Sequence, residues 1–293
     1  MFKVAQETCT LPASMIMLRI ELESRDAVHG GGCADIYRGF LNQCAIALKV
    51  LRIFNEADMK ALLPACLGCS NLIEAIVWRQ LKHNNVAPFL GFCKDLFPDR
   101  IALVSPWMTN GDLSSYLKRN PEANRLPFAM QIASGMDYLH SQDPQIIHGD
   151  LRANNVLVDS RHVALVTDFG ISKANVVQTN LSVQSNRGAA RWQAPELHYG
   201  EGLGHVTTMS DVYAYGMTCY EIFTDTVPFA QHNDVVFILE LFVKKTKLTR
   251  PLDSEVRGLT SQLWCLFEEC WDFEPKLRPT MRDVLLLIED EES

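Results

Sequence analysis

Ile147-His148-Gly149-Asp150-Leu151-Arg152-Ala153-Asn154-Asn155-Val156-Leu157-Val158 sets a charged, amide-rich turn between apolar residues. Asp150 and Asn155 stand five residues apart, and a second acidic turn, Asp168-Phe169-Gly170, begins thirteen residues after Asn155. Two apolar runs, residues 156–158 and 163–166, separate the turns and read as a small hairpin. A carboxylate, an amide and a second carboxylate in this order suit phosphoryl transfer. One carboxylate takes the proton of a hydroxyl, while the amide oxygen and the other carboxylate hold Mg²⁺ on a nucleoside triphosphate.

The chain around this stretch has 293 residues, 47% of them hydrophobic, enough for one large domain or two lobes with a sizeable core. The net charge of −8 argues against nucleic acid as a partner, because phosphate backbones call for basic patches. No apolar run approaches the roughly 20 residues of a membrane helix, and Met1 to Thr8 lacks the layout of a secretory signal. Nine cysteines, an odd number, read as reduced thiols. A cytoplasmic or nuclear protein is the simplest expectation. Cys66-Leu67-Gly68-Cys69 lacks the second pair that a zinc site wants and the βαβ context of a redox motif.

Taken in order, residues 1–21 show no period and are expected to form a loosely packed extension. In Val28-His29-Gly30-Gly31-Gly32, three glycines let the backbone come close to phosphates, since no Cβ intrudes. Residues 44–51 form an apolar strand carrying Lys49, and a lysine in such a strand wants a partner. Residues 74–83 read as the end of an amphipathic helix with Val77, Trp78 and Leu81 on one face. Pro64 and Gly68 make residues 58–71 an irregular insert. Strands are expected at 89–93 and 101–105, a short helix capped by Asp112 at 113–118, and a helix at 126–140. Asp211 opens a helix that is apolar on nearly all sides through Phe223, which belongs at the centre of a lobe. Helices near 235–245, 258–271 and 280–289 complete the chain.

These motifs, in this order, resemble the protein kinase family. The opening stretch is similar to its catalytic loop, His-Arg-Asp-Leu-x-x-x-Asn, with Gly149 where the family has Arg. Asp168-Phe169-Gly170, Ala194-Pro195-Glu196 and Arg278 match later family motifs. Trp192, the Trp78-Arg79-Gln80-Leu81 helix and Cys270-Trp271 look most like the tyrosine-kinase-like branch. The resemblance implies an α+β, bilobal protein kinase fold. A small β-rich N-lobe (22–106) with helix αC would precede a larger, mainly α-helical C-lobe (107–290).

It also implies ATP and Mg²⁺, a protein substrate, and roles for single residues. Asp150 would be the catalytic base and Arg152 would offset charge beside the transferred group. Asn155 and Asp168 would bind the metal. Lys49 would hold the phosphates and Glu74 would hold Lys49. Val28, Gly30, Gly31, Gly32, Ile36, Ala47, Pro106, Met108 and Leu157 would line the nucleotide site, with Ser105 a small residue before the hinge. Asp211 would hold the catalytic-loop backbone, and Arg278 would pair with Glu196.

Several positions depart from the family. His29 and Ala34 replace two loop glycines, and Lys49 lies 25 residues before Glu74, farther than usual. Gly149 cannot pair with an activation-loop phosphate as the family Arg does. Ala189 matches neither the Thr of Ser/Thr kinases nor the Pro of tyrosine kinases, so Ser/Thr specificity is favoured over Tyr by branch alone. The alternative is a pseudokinase, a nucleotide-binding or scaffolding module without phosphotransfer.

Overall fold

The computed structural model describes residues 15–30, 34–51, 78–97, 100–169, 190–198, 205–233, 236–237, 245–251 and 257–292. Gly31, Gly32, Glu74, Gly170, Ala189, the 58–71 insert and most of the helix expected at 235–245 lie outside these residues. The chain divides into two compact units, Met1–Lys82 with Val86–Met108, and His83–Asn85 with Thr109–Ser293.

The first unit is built on an antiparallel sheet. Its strands are β1 (Glu21–Leu22), β2 (His29–Gly30), β3 (Ala34–Leu41), β4 (Cys44–Leu51), β5 (Gly91–Cys93) and β6 (Ala102–Pro106). The order is β1-β3-β4-β6-β5, with β2 also on β3. Alternation along β4 decides the faces. Ile46, Leu48 and Val50 are almost fully buried, and they cluster with Ile20, Cys93, Phe97, Ala102 and Val104. Each such aliphatic side chain contributes about 1.5–3 kcal/mol. Ala47 and Lys49 point to the opposite, half-buried face.

The extension expected over residues 1–21 needs correction at its described end. Met15 and Ile20 are buried, Ile16 bridges to Phe92, and Met17 N donates to Phe92 O at 2.7 Å. Gly91 permits this. A Cβ there would run into the Met15 carbonyl, so the strap and the glycine fit as a pair. The strand expected at 89–93 starts only at Gly91.

The second unit is helical: α1 (Leu113–Arg119), α2 (Leu126–His140), the hairpin β7 (Val156–Val158) and β8 (Ala164–Val166), α3 (Thr208–Thr224), α4 (Ser261–Cys270) and α5 (Met281–Glu292). Asp112 caps α1 by accepting from Ser115 N at 2.9 Å. α3 is the central helix, buried from Ser210 through Phe223 except at Tyr220. Its start differs from the expected one. Thr207 and Ser210 form a reciprocal capping box, so Asp211 lies in the first turn with its carboxylate free for other work. α4 packs on α3, and α5 on α2. Asn85, brought in from the other stretch of chain, donates to Ala164 O at 3.1 Å and accepts from Val166 N at 2.9 Å.

Candidate active site

In the first unit the register collects residues on one face of the sheet. Lys49 lies opposite Ile36 on β3 and Leu103 on β6, and Ala47 lies opposite Arg38 and Ser105. Directly opposed residues of an antiparallel pair share a face, so Ile36, Ala47, Lys49 and Ser105 are neighbours. Val28 N donates to Ile36 O at 2.8 Å and Gly30 pairs with Asp35, which lays residues 28–30 along the same strand. Trp107 N donates to Ala45 O at 3.0 Å and Leu90 N to Val104 O at 2.9 Å. Backbone groups on β6 therefore alternate between β4 and the β5 side. The Pro106 carbonyl falls on the β5 side, beyond the last β5 pair. Met108 follows, half-buried, at the end of the unit.

In the second unit the loop before β7 is held from both sides. Asp211 is 1% exposed and accepts three bonds: from His148 N at 2.7 Å, Gly149 N at 2.8 Å and the His140 ring at 2.9 Å. Gly149 takes φ +77°, a left-handed backbone that a side chain would strain. Asp150 N donates to His148 Nδ1 at 3.2 Å, which places that imidazole's proton on Nε2. Burial lowers the His148 pKa against the pull of Asp211, Asp150 and Asp168, so the ring is neutral.

The chemistry-bearing groups then meet. Asn155 Nδ2 donates to the Asp150 carbonyl at 2.7 Å and to Asp150 Oδ2 at 2.9 Å. Arg152 sits 3.6 Å from the same carboxylate oxygen. Thr167 N donates to Asn155 O at 3.0 Å, which sets Asp168, at φ +63°, beside the loop. Leu157 on β7 is half-buried next to Asp112, and Phe169 packs edge-on to His148 at 6.3 Å. Farther out, Arg278 grips both Glu196 oxygens, at 2.7 and 2.8 Å, with its side chain fully buried. Asp150, Arg152, Asn155 and Asp168 are thus assembled in one unit, and Ile36, Ala47 and Lys49 in the other.

A model for protein tyrosine and serine/threonine kinases matches residues 22–288. The chain belongs to that family. Similar proteins carry the kinase description as well. Serine/threonine-protein kinase CTR1 of Arabidopsis thaliana is 28% identical over 92% of this chain and 31% of its own length. The probable serine/threonine-protein kinase roco6 of Dictyostelium discoideum is 31% identical over 92% of this chain and 13% of its own length. The dual specificity protein kinase splA of the same organism is 29% identical over 93% of this chain and 12% of its own length. The kinase chain described here therefore spans less than a third of each of these relatives. Its fold is the bilobal protein kinase fold, of the tyrosine-kinase-like kind.

One residue of this kinase site escaped the sequence reading. Glu221, deep in α3, accepts from Ala153 N at 3.1 Å and from the Trp192 indole at 2.9 Å, both on Oε2. The signal was a second carboxylate, beyond Asp211, in a helix that is otherwise apolar on nearly all sides. Burial pushes its pKa up to about 7, against the opposing pull of the two N–H groups, Arg152 and Lys118. The folded state thus holds this proton more tightly than the unfolded chain. Stability tied to the neutral carboxyl is complete below the usual value of 4.5 and is lost as pH rises toward 7. Glu221→Gln cannot ionise. Relative to wild type it is expected to gain about 3 kcal/mol between pH 4.5 and 8, read by urea unfolding at both pH values. Parallel pH dependence in the two proteins would remove Glu221 as the source.

Proposed function

We propose that the chain transfers the γ-phosphoryl group of ATP to a hydroxyl of a protein substrate, with Ser/Thr favoured over Tyr. The observation that carries this reading is the Asp150 carboxylate, pinned by the Asn155 amide and flanked by Arg152. Asp150 accepts the proton of the acceptor hydroxyl as the new O–P bond forms and the bond from the γ-phosphorus to the β,γ-bridging oxygen breaks, leaving ADP. Arg152 offsets charge on the transferring group, and its pairing with Asp150 sets the distance between base and cation. Lys49 holds the phosphates from the sheet face shared by Ile36 and Ala47. Glu74 orients Lys49. Val28, Gly30, Gly31 and Gly32 cover the phosphates, while Pro106, Met108 and Leu157 take the adenine.

The donor set suits Mg²⁺. The Asn155 nitrogen is spent on Asp150, which leaves its oxygen to serve as a metal ligand, and Asp168 adds a carboxylate. Two hard oxygen donors, with the rest supplied by phosphates and water, are what this ion takes. No group of three or more His, Cys, Asp or Glu among the described residues competes for a metal. When bound, Mg²⁺ neutralises charge between the β- and γ-phosphates.

The Ser/Thr preference is supported by the descriptions of similar proteins, two of them serine/threonine-protein kinases and one of dual specificity. Incubation with Mg²⁺ and γ-labelled ATP plus mixed protein acceptors tests it, followed by phosphoamino-acid analysis. Labelled phosphoserine or phosphothreonine is expected. Label on tyrosine alone would overturn the preference. Thermal stabilisation by Mg²⁺-ATP without transfer to any acceptor would mark a nucleotide-binding scaffold instead.

A further inference from the structure

Glu221 touches two segments that the sequence separates by 39 residues. Ala153 directly follows Arg152 in the catalytic loop, and Trp192 directly precedes the stretch ending in Ala194-Pro195-Glu196. Both donors converge on a single oxygen, Oε2, so one side chain joins the loop to the segment below it. α3 therefore grips the loop twice. Asp211 holds its start at His148 and Gly149, and Glu221, ten residues on, holds it at Ala153.

The two grips are not equivalent. Asp211 takes three donors shared between its two oxygens, whereas Glu221 presents only Oε2 to its pair. A proton can therefore sit on Oε1 without displacing either N–H. What changes is the strength of the bonds: an ionised acceptor holds an N–H roughly twice as firmly as a neutral one.

We propose that Glu221 is a positioning residue that ties the Trp192 segment to the catalytic loop, and that the firmness of this tie follows the ionisation of its carboxyl. Among the described residues, the charged groups that act on it are few. Arg152 from the loop and Lys118 from α1 both favour the ionised form, and Asp150 is already engaged with Arg152 and Asn155. Arg191, next to Trp192, is committed to the carbonyls of Pro228, Phe229 and His232. Because the group titrates near neutrality, the tie tightens between about pH 6 and 8. Trp192 and Gln193 border one small cavity with Gly149 and Asp150, so in kinetic terms, which rest on the phosphotransfer reading, a firm tie favours docking of the acceptor beside Asp150. It therefore lowers the acceptor KM more than it raises kcat.

Two readouts test this with the full chain. In the first, Trp192 emission is followed from pH 5.5 to 8.5 in wild type and Glu221→Gln, with Trp192→Phe identifying the signal. Wild type is expected to titrate with a midpoint near 7, and Glu221→Gln to show no such transition. In the second, acceptor KM and kcat are measured at pH 6 and pH 8. The KM of Glu221→Gln is expected to match wild type at pH 6 and to exceed it about three- to tenfold at pH 8. Groups common to both proteins cancel in that ratio. Trp192→Phe removes one N–H that favours the carboxylate, so its kinetic midpoint is expected to move to higher pH. Transfer that proceeds with identical pH profiles in wild type and Glu221→Gln, or identical emission titrations, would overturn the tie and leave the function standing. An emission transition that Glu221→Gln abolishes, in a protein that transfers no phosphate, would uphold the tie and overturn the function.

Discussion

Asp150→Asn is expected to lower phosphotransfer by roughly 10²- to 10⁴-fold, the span that a positioned general base supplies. The substitution keeps the shape and an oxygen that can still accept from Asn155 Nδ2, the bond that holds the side chain at 2.9 Å. What it removes is the basic lone pair and the charge facing Arg152 at 3.6 Å. Unfolding free energy should change by about 1 kcal/mol or less, because the side chain is one-third exposed and its loop is held by Asp211. Stabilisation by Mg²⁺-ATP should persist, since Asn155 and Asp168 are untouched. A radiolabel transfer rate within tenfold of wild type would strip Asp150 of its role as base.

Asp211→Ala is expected to cost about 3–5 kcal/mol of stability, the penalty for leaving buried polar groups without their partner. Three donors lose their acceptor at once: His148 N, Gly149 N and the His140 ring. The first two are consecutive backbone groups, so the loss falls on the geometry of the loop as well as on the global fold. Both the urea midpoint and the transfer rate should fall, the rate by more than the lost population of folded protein accounts for. A stability change below about 1 kcal/mol would mean that water replaces the carboxylate at no great cost, and that the loop holds itself.

Much of this was legible in the chain. Asp150, Asn155 and Asp168 were readable because side-chain chemistry and spacing coincide there, and the α2 boundaries followed from apolar period alone. The helix carrying Asp211 was also readable, because a helix apolar all round has only the interior to occupy. Its start was not. Thr207 and Ser210 cap each other, and that reciprocal pair looks like ordinary loop composition until the backbone is seen. Packing of residues 15–20 was hidden for a different reason. It depends on the missing Cβ of Gly91, some seventy residues later, and no local pattern encodes a fit between distant segments. The role of Glu221 was not legible, because an apolar helix shows that a carboxylate is inside but not what it binds. Only the partners, Ala153 and Trp192, reveal why this one is inside.

Gly149 leaves a last consequence. Its α-carbon is achiral and rests where a mirror-handed residue would be at ease. Placing an arginine at this spot would force an L-residue into the wrong hand, at about 1–2 kcal/mol. Asp211 alone grips that amide and would have to hold the distortion. The graft should therefore soften the fold before it teaches it to read a phosphate.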